Sequence, residues 1–289
     1  MFKGSLVALV TPFHNGQIDC DKLKELVEFH IKNGINGIVP CGTTGESATL
    51  SFEEHEKVVG EVVSMVAGRI PVVAGAGSNN TSETLRLTKH AKKVGADGVL
   101  LITPYYNKPT PEGLYRHYRL IAEEVDIPIV LYNVPSRTGI SLLPETIARL
   151  SEMKNIVAVK DASGSIDQAT QILQLCDIAV LSGEDSLILP IMAVGGKGVI
   201  SVVANVVPAD TVALTRHCLE GNFEEAKKYH YKLFPLSKGM FIETNPIPVK
   251  TALRLMGKLN GEMRLPLCEM TKEHEERLVN ILKNYGLLQ

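Results

Sequence analysis

The sequence predicts an α/β fold, a (β/α)8 TIM barrel with a C-terminal helical extension, and three observations carry that prediction. Eight short β-branched runs alternate with amphipathic stretches over roughly the first 200 residues, the pattern of parallel strands joined by helices. Each run is nearly continuous in apolar residues, as expected of strands covered on both faces. A doubly wound sheet carries a glycine-rich fingerprint after its first strand, whereas here the first strand leads into TPFHNG (11–16). A chain of 289 residues accommodates one barrel of ~250 residues with a short addition.

Taken in order, the strands are read at Leu6–Val10, Gly37–Pro40, Pro71–Ala74, Gly98–Thr103, Pro128–Asn133, Ile156–Lys160, Ile178–Ser182 and Gly198–Val203. Helix-start signals stand between them. Asp19 precedes DKLKELVEFHIK, and Thr81 precedes SETLRLTKHAKK. Ser51 precedes FEEHEKVVGEVV with Glu54 three residues later, the spacing of a capping box, in which two side chains satisfy orphan amides reciprocally. From about Pro208 the chain reads as helices, including FEEAKKYHYKLF, PVKTALRLMG and KEHEERLVNILKNYG. The expected division is residues 1–224 for the barrel and 225–289 for the extension.

Composition narrows the function. Thirty basic residues nearly cancel thirty-two acidic ones, for a formal charge of −2, which argues against a nucleic-acid surface. The cysteines Cys20, Cys41, Cys176, Cys218 and Cys268 are odd in number and form no C-x-x-C, so a disulfide scaffold or zinc site is not expected and a reducing cytoplasm is the simpler setting. The opening MFKGSLVALVTPF reaches a proline without a small-residue cleavage site and reads as a strand rather than a signal peptide. The longest later apolar stretch, GVISVVANVVPA, is broken by Asn205 and falls short of the ~20 residues a membrane span requires. A soluble cytoplasmic protein is expected.

In such barrels function gathers at the carboxyl ends of the strands. Strand 2 ends in CGTTGE (41–46), strand 3 in GAGSNN (75–80), strand 4 in TPYYN (103–107), strand 5 in YNVPSRTG (132–139), strand 6 in VKDASG (159–164) and strand 7 in SGED (182–185). Lys160 follows Ile156-Val-Ala-Val159, a run without another charge. Burying an ammonium costs several kcal/mol unless it is paired or discharged. Displacing a lysine from ~10.4 to neutrality takes roughly 4 kcal/mol and yields a nucleophilic amine. From position alone two readings stand: such a nucleophile, or a lysine snorkelling from a strand end or paired with Asp161.

Its neighbours favour the first. An amine attacking a carbonyl needs proton transfer, and Tyr132 ends the adjacent strand. Arg137, five residues on, offers a carboxylate the two-point grip that lysine cannot copy. The Gly42-Thr43-Thr44-Gly45 turn offers two hydroxyls and backbone amides to an anion, or merely caps a helix. Other signals are set aside. Gly75-Ala-Gly77 is a lone glycine pair and not a dinucleotide fingerprint, and Gly195-Gly-Lys197-Gly198 is a tight turn leading into strand 8. Glu184-Asp185 is read as a helix start, Cys41 as a small core residue, and the eight histidines show no metal-ligand spacing.

The segments GTTGE (42–46), TPYYNKP (103–109), YNVPSRTG (132–139), VKDASG (159–164), LSGED (181–185), GVISVVAN (198–205) and ETNPIPVK (243–250) resemble the 4-hydroxy-tetrahydrodipicolinate synthase (dihydrodipicolinate synthase) family, in its order and spacing and over nearly the whole chain. The resemblance implies a lyase that condenses pyruvate with L-aspartate 4-semialdehyde, the first committed step of lysine biosynthesis through diaminopimelate. It implies that Lys160 forms the Schiff base, that Tyr132 donates and accepts protons, and that Thr43 and Tyr106 complete a relay, Tyr106 in a neighbouring subunit. Thr44 is then the group binding the pyruvate carboxylate, Arg137 the group binding the semialdehyde carboxylate, and Gly183 and Ile200 pocket-lining positions. No metal or organic cofactor is implied, and a homotetramer built from tight dimers is. Ser47, Ala48, His55, Asn79, Glu83 and Tyr105 match a regulatory lysine site, although Phe52 stands where responsive members often carry histidine; feedback and plain interface packing both stay open. Two rivals follow: a related pyruvate-dependent aldolase such as N-acetylneuraminate lyase or a 2-keto-3-deoxy sugar-acid aldolase, and a barrel that binds oxo-acids without turnover.

Overall fold

In a computed structural model, which describes residues 2–289, the eight runs form a ring of parallel strands. They are β1 (Gly4–Ala8), β2 (Gly37–Val39), β3 (Val73–Gly75), β4 (Gly98–Ile102), β5 (Ile129–Asn133), β6 (Ile156–Asp161), β7 (Ala179–Ser182) and β8 (Gly198–Ser201). Each strand pairs in parallel with its sequence neighbours, β8 returns to β1 through Gly4 opposite Gly198, and a parallel bridge from Ile38 to Val72 closes the ring between β2 and β3. The outer shell is α1 (Cys20–Lys32), α2 (Phe52–Val66), α3 (Thr81–Val94), α4 (Pro111–Glu124), α5 (Pro144–Ser151), α6 (Ile166–Leu175), α7 (Ile188–Ala193) and α8 (Pro208–Leu219). Three more helices follow, α9 (Phe223–Gly239), α10 (Ile247–Leu255) and α11 (Lys272–Tyr285).

The continuous apolar runs have a simple cause. Successive side chains point to opposite faces of a strand, and here both faces are buried. Leu6, Ala8, Val39, Val73, Leu100, Val130, Ala158, Leu181 and Ile200 fill the barrel interior. Val7, Ile38, Ala74, Val99, Leu101, Leu131, Val159, Val180 and Val199 meet the helices outside. The parity continues past the core: Ala158 points inward, so Lys160 does too, and Asp161 points out.

The capping signals hold with one shift. Asp19 accepts from the Lys22 amide, and Ser51 and Glu54 form the reciprocal box. At α3 the cap is Asn80, which accepts from the Ser82 amide, and Thr81 lies inside the helix with its hydroxyl 2.9 Å from His117 Nδ1. Three strands depart by two residues from the expected limits, among them β3, which begins at Val73 rather than Pro71. β1 begins at Gly4 because it pairs with Gly198, and β8 stops at Ser201 because Val203–Asn205 coil into a 3-10 turn. A hairpin of Phe13–His14 with Gln17–Ile18 was not expected, although Asn15-Gly16 with both φ angles positive (51° and 75°) is a strong hairpin signal. The glycines at the end of β3 are steric: a Cβ on Gly75 would stand 2.2 Å from the Cys41 carbonyl oxygen. Among the described residues, no helix is long and apolar enough to cross a membrane.

Candidate active site

The carboxyl mouth of the barrel opens into a cavity of about 460 Å³ whose lining includes Thr43, Thr44, Tyr132, Arg137, Lys160 and Gly183. Six residues from four sequence segments therefore meet where the strand ends predicted. Lys160 and Tyr132 are register partners on β6 and β5. Both are buried, and Lys160 Nζ sits 4.2 Å from the centroid of the Tyr132 ring. The alternative pairing of Lys160 with Asp161 is excluded by geometry. Asp161 accepts from Asn133 Nδ2 (2.9 Å), Gln168 Nε2 (3.2 Å) and Ser163 Oγ (2.7 Å) on the outer face.

A carboxylate that lines the cavity with Lys160 stands at the helix start read from sequence, but its long-range partners were not foreseen. Asp185 is buried and accepts from the Ser201 hydroxyl and from the Val202 and Val203 amides at 3.0 Å each. It opens the 3-10 turn Asp185–Leu187, as a helix start predicts, and it also ties the end of β7 to the end of β8. Burial raises its pKa against those hydrogen bonds and the charge of Lys160. Glu184, half-buried on the cavity wall, is likewise raised by burial, with the Lys238 ammonium opposing.

The Thr43–Thr44 turn is closed on itself, with Gly45 N donating to Gly42 O (3.1 Å) and Glu46 N to Thr43 O (3.1 Å). Thr44 is buried, and its hydroxyl accepts from Asn245 Nδ2 at 2.9 Å. Arg137 rides a short helix, Pro135–Thr138, and donates from Nη2 to Asn245 O at 3.1 Å. Asn245 thus touches both groups expected to meet carboxylates. Nothing local marks it, since its contact with Thr44 spans 201 residues.

Three expected residues are placed differently from the rest. Gly183 lines the cavity, but its amide is spent on Asp161 O (2.7 Å), and a Cβ there would stand 2.5 Å from Ala162 Cβ. What it supplies is space. Ile200 is fully buried in the barrel interior, outside the cavity lining. Tyr106 has a left-handed backbone (φ 73°) and a side chain 90 % exposed, away from its own barrel's cavity.

A second cavity of about 640 Å³ adjoins the first and shares Thr43, Tyr132, Arg137 and Asn245 with it. Ser47, Ala48, His55, Glu83 and Tyr105 line it, and Asn79 does not. Burial holds the His55 ring neutral, with its pKa lowered to about 4. Phe52 is also in its wall, under the Arg86 guanidinium at 4.6 Å. Cys41 is a core residue whose thiol burial raises. Among the described residues, no group of three or more His, Cys, Asp or Glu side chains is placed to hold a metal ion.

A parallel (β/α)8 barrel with a buried lysine and tyrosine at its carboxyl mouth is the architecture of a barrel enzyme. Comparison with known proteins narrows the class. The model of the dihydrodipicolinate synthetase family matches residues 1–285. The 4-hydroxy-tetrahydrodipicolinate synthases of Geotalea uraniireducens (strain Rf4) and Methanocaldococcus jannaschii are each 57 % identical, covering all of both chains. The crystal structure of dihydrodipicolinate synthase from Aquifex aeolicus superposes with a TM-score of 0.98 at 53 % identity, over 99 % of each chain. The chain belongs to the dihydrodipicolinate synthetase family, and it is an enzyme of the lyase class.

Proposed function

We propose that the chain catalyses the 4-hydroxy-tetrahydrodipicolinate synthase reaction, a Schiff-base condensation of pyruvate with L-aspartate 4-semialdehyde. The observation carrying this is one cavity that gathers the Lys160 amine, the Tyr132 ring 4.2 Å away, the Thr43–Thr44 turn and the Arg137 guanidinium. In this reading Lys160 Nζ attacks C2 of pyruvate, and loss of water leaves an iminium. The iminium acidifies the methyl group, because deprotonation there gives an enamine. The enamine carbon attacks the aldehyde, and the substrate amine then adds to the iminium carbon and expels Lys160. One water is released overall, and the iminium is the electron sink, so the scheme calls on no metal or organic cofactor.

Tyr132 moves the protons of carbinolamine formation and dehydration, linked through Thr43 to Tyr106 of a neighbouring subunit. Thr44 holds the pyruvate carboxylate, and Arg137 that of the semialdehyde. The exposure of Tyr106 supports a homotetramer of tight dimers. A cytoplasmic, lysine-forming role, with residues 1–224 as the catalytic barrel and 225–289 as its extension, completes the reading. The second cavity is the proposed regulatory site for lysine, supported by five of the six expected residues in its wall, all but Asn79. Initial rates that ignore millimolar lysine would remove that assignment. A coupled assay with pyruvate and aspartate semialdehyde, run beside N-acetylneuraminate, tests the main reading: turnover of the first pair and not of the sugar acid is expected. The reverse selects the sugar-acid lyase.

A further inference from the structure

The turn that carries Thr43 and Thr44 is followed by a charge with no business on a barrel rim. Glu46 has a left-handed backbone (φ 55°), and its carboxylate is fully buried. Its Oε1 lies 2.5 Å from Lys250 Nζ, itself 1 % exposed, and its Oε2 accepts from the Arg264 amide at 3.2 Å. Lys250 also donates to Thr11 O at 2.9 Å, and its ammonium and the Arg264 guanidinium each stand 4.5 Å from the Phe13 ring centroid. Thr11 in turn donates its hydroxyl to Gly45 O at 2.6 Å, between Thr44 and Glu46.

Taking two ions out of water is costly, and a buried pair is commonly replaceable by apolar side chains without loss of stability. Stability alone therefore does not account for this one. Its location does. Lys250 N bonds Pro246 O (3.0 Å), so Lys250 and the Asn245 amide that holds Thr44 belong to one rigid segment at the start of α10. That segment and the strand 1 exit grip the turn at three successive residues: Asn245 on Thr44, Thr11 on Gly45, Lys250 on Glu46.

We infer that the buried Glu46–Lys250 pair is a positioning device for the catalytic turn. It fixes Thr43 and Thr44 against the oxo-acid bound at Lys160, and it makes the C-terminal segment part of the active site. The inference rests on the reading of those threonines as contacts of the pyruvate adduct. Neither Glu46 nor Lys250 lines the pyruvate cavity beside Lys160, so both act through the turn.

The test uses the full-length enzyme with two changes of different risk. The double variant Glu46→Gln/Lys250→Met removes both charges at once, and Thr11→Val removes one hydrogen bond while keeping volume and charge. The readouts are the separate KM values for the two substrates and the pyruvate dependence of borohydride trapping. Misplacing the turn by a fraction of an ångström raises pyruvate KM about tenfold in the double variant and roughly threefold in Thr11→Val, with the semialdehyde KM held within about twofold. A purely structural pair would shift melting and leave that ratio alone. Folded variants with wild-type pyruvate KM overturn the inference, and so does an unfolded double variant beside an unchanged Thr11→Val. If the wild-type enzyme traps no pyruvate on Lys160, the functional reading falls and this inference with it. Trapping by the wild type with unchanged variants overturns this inference alone.

Discussion

Gly183→Ala tests how tightly the mouth is built. The added Cβ would lie 2.5 Å from Ala162 Cβ and 3.0 Å from the Ala162 nitrogen and the Asp161 oxygen. Carbon–carbon contact settles near ~3.5 Å, so about 1 Å must be made up. Two of the three obstacles are backbone atoms of the segment that follows Lys160, and the Gly183 N–H is itself bonded to Asp161 O at 2.7 Å. The relief is therefore a separation of the β6 and β7 ends, which moves Lys160 relative to Tyr132 and to Asp185. Overpacking of this kind costs about 1–3 kcal/mol of stability, within the margin of an ordinary domain. A displacement near 1 Å at the reacting group costs on the order of 100-fold in rate. The assay is kcat/KM for both substrates beside a thermal melt. A folded Gly183→Ala enzyme with wild-type kcat/KM would refute the argument that this glycine is present for space alone.

Three further outcomes are expected. Arg137→Lys keeps the charge but loses the planar fork, so kcat/KM for the semialdehyde falls roughly 10- to 100-fold while pyruvate trapping continues; equal losses for both substrates would contradict the assigned role. Tyr106→Phe lowers kcat by about 100-fold if its hydroxyl serves a neighbour's relay, and unchanged kinetics would count against the shared site. His30 is fully buried with neither ring nitrogen hydrogen-bonded among the described residues, and its pKa is lowered to about 3, chiefly by burial. The unfolded chain then takes up the proton first, so stability falls as pH drops below 6.5 and goes on falling until about 3. Each such histidine contributes a slope of about 1.4 kcal/mol per pH unit. His55 and His117, both lowered to about 4 by burial, add to it. His30→Leu should make the denaturant-measured stability at pH 5 less acid-sensitive by one such increment, and an unaltered slope would show that His30 does not titrate with unfolding.

How much of this was legible before the structure depends on the range of each interaction. The alternation of strands and helices is local, and so is the parity that points Ala158 and Lys160 into the barrel, so the fold and the neighbouring of Lys160 and Tyr132 could be read directly. Asp19 and Ser51 were legible because a cap acts within three residues. Asp185 was legible as a helix start but not as an acceptor, because the amides it takes lie 17 and 18 residues on, just past the end of β8. Asn245 and Lys250 were hidden for a stronger form of that reason: their partners Thr44 and Glu46 lie 201 and 204 residues away. Gly183 and Ile200 show the other limit. Resemblance places both at the pocket; Gly183 does line it, giving room to a strand end, while Ile200 packs the layer beneath. The Asn15-Gly16 turn was a local signal that went unread.

The proposed chemistry depends on a covalent bond between the Lys160 amine and the keto carbon of pyruvate. Incubation with pyruvate, reduction with borohydride and peptide mass analysis test it most directly. A single adduct with the mass of the reduced pyruvate imine is expected on the peptide carrying Lys160, and none in a folded Lys160→Ala enzyme. An adduct on another lysine, or one that persists in the variant, would contradict it.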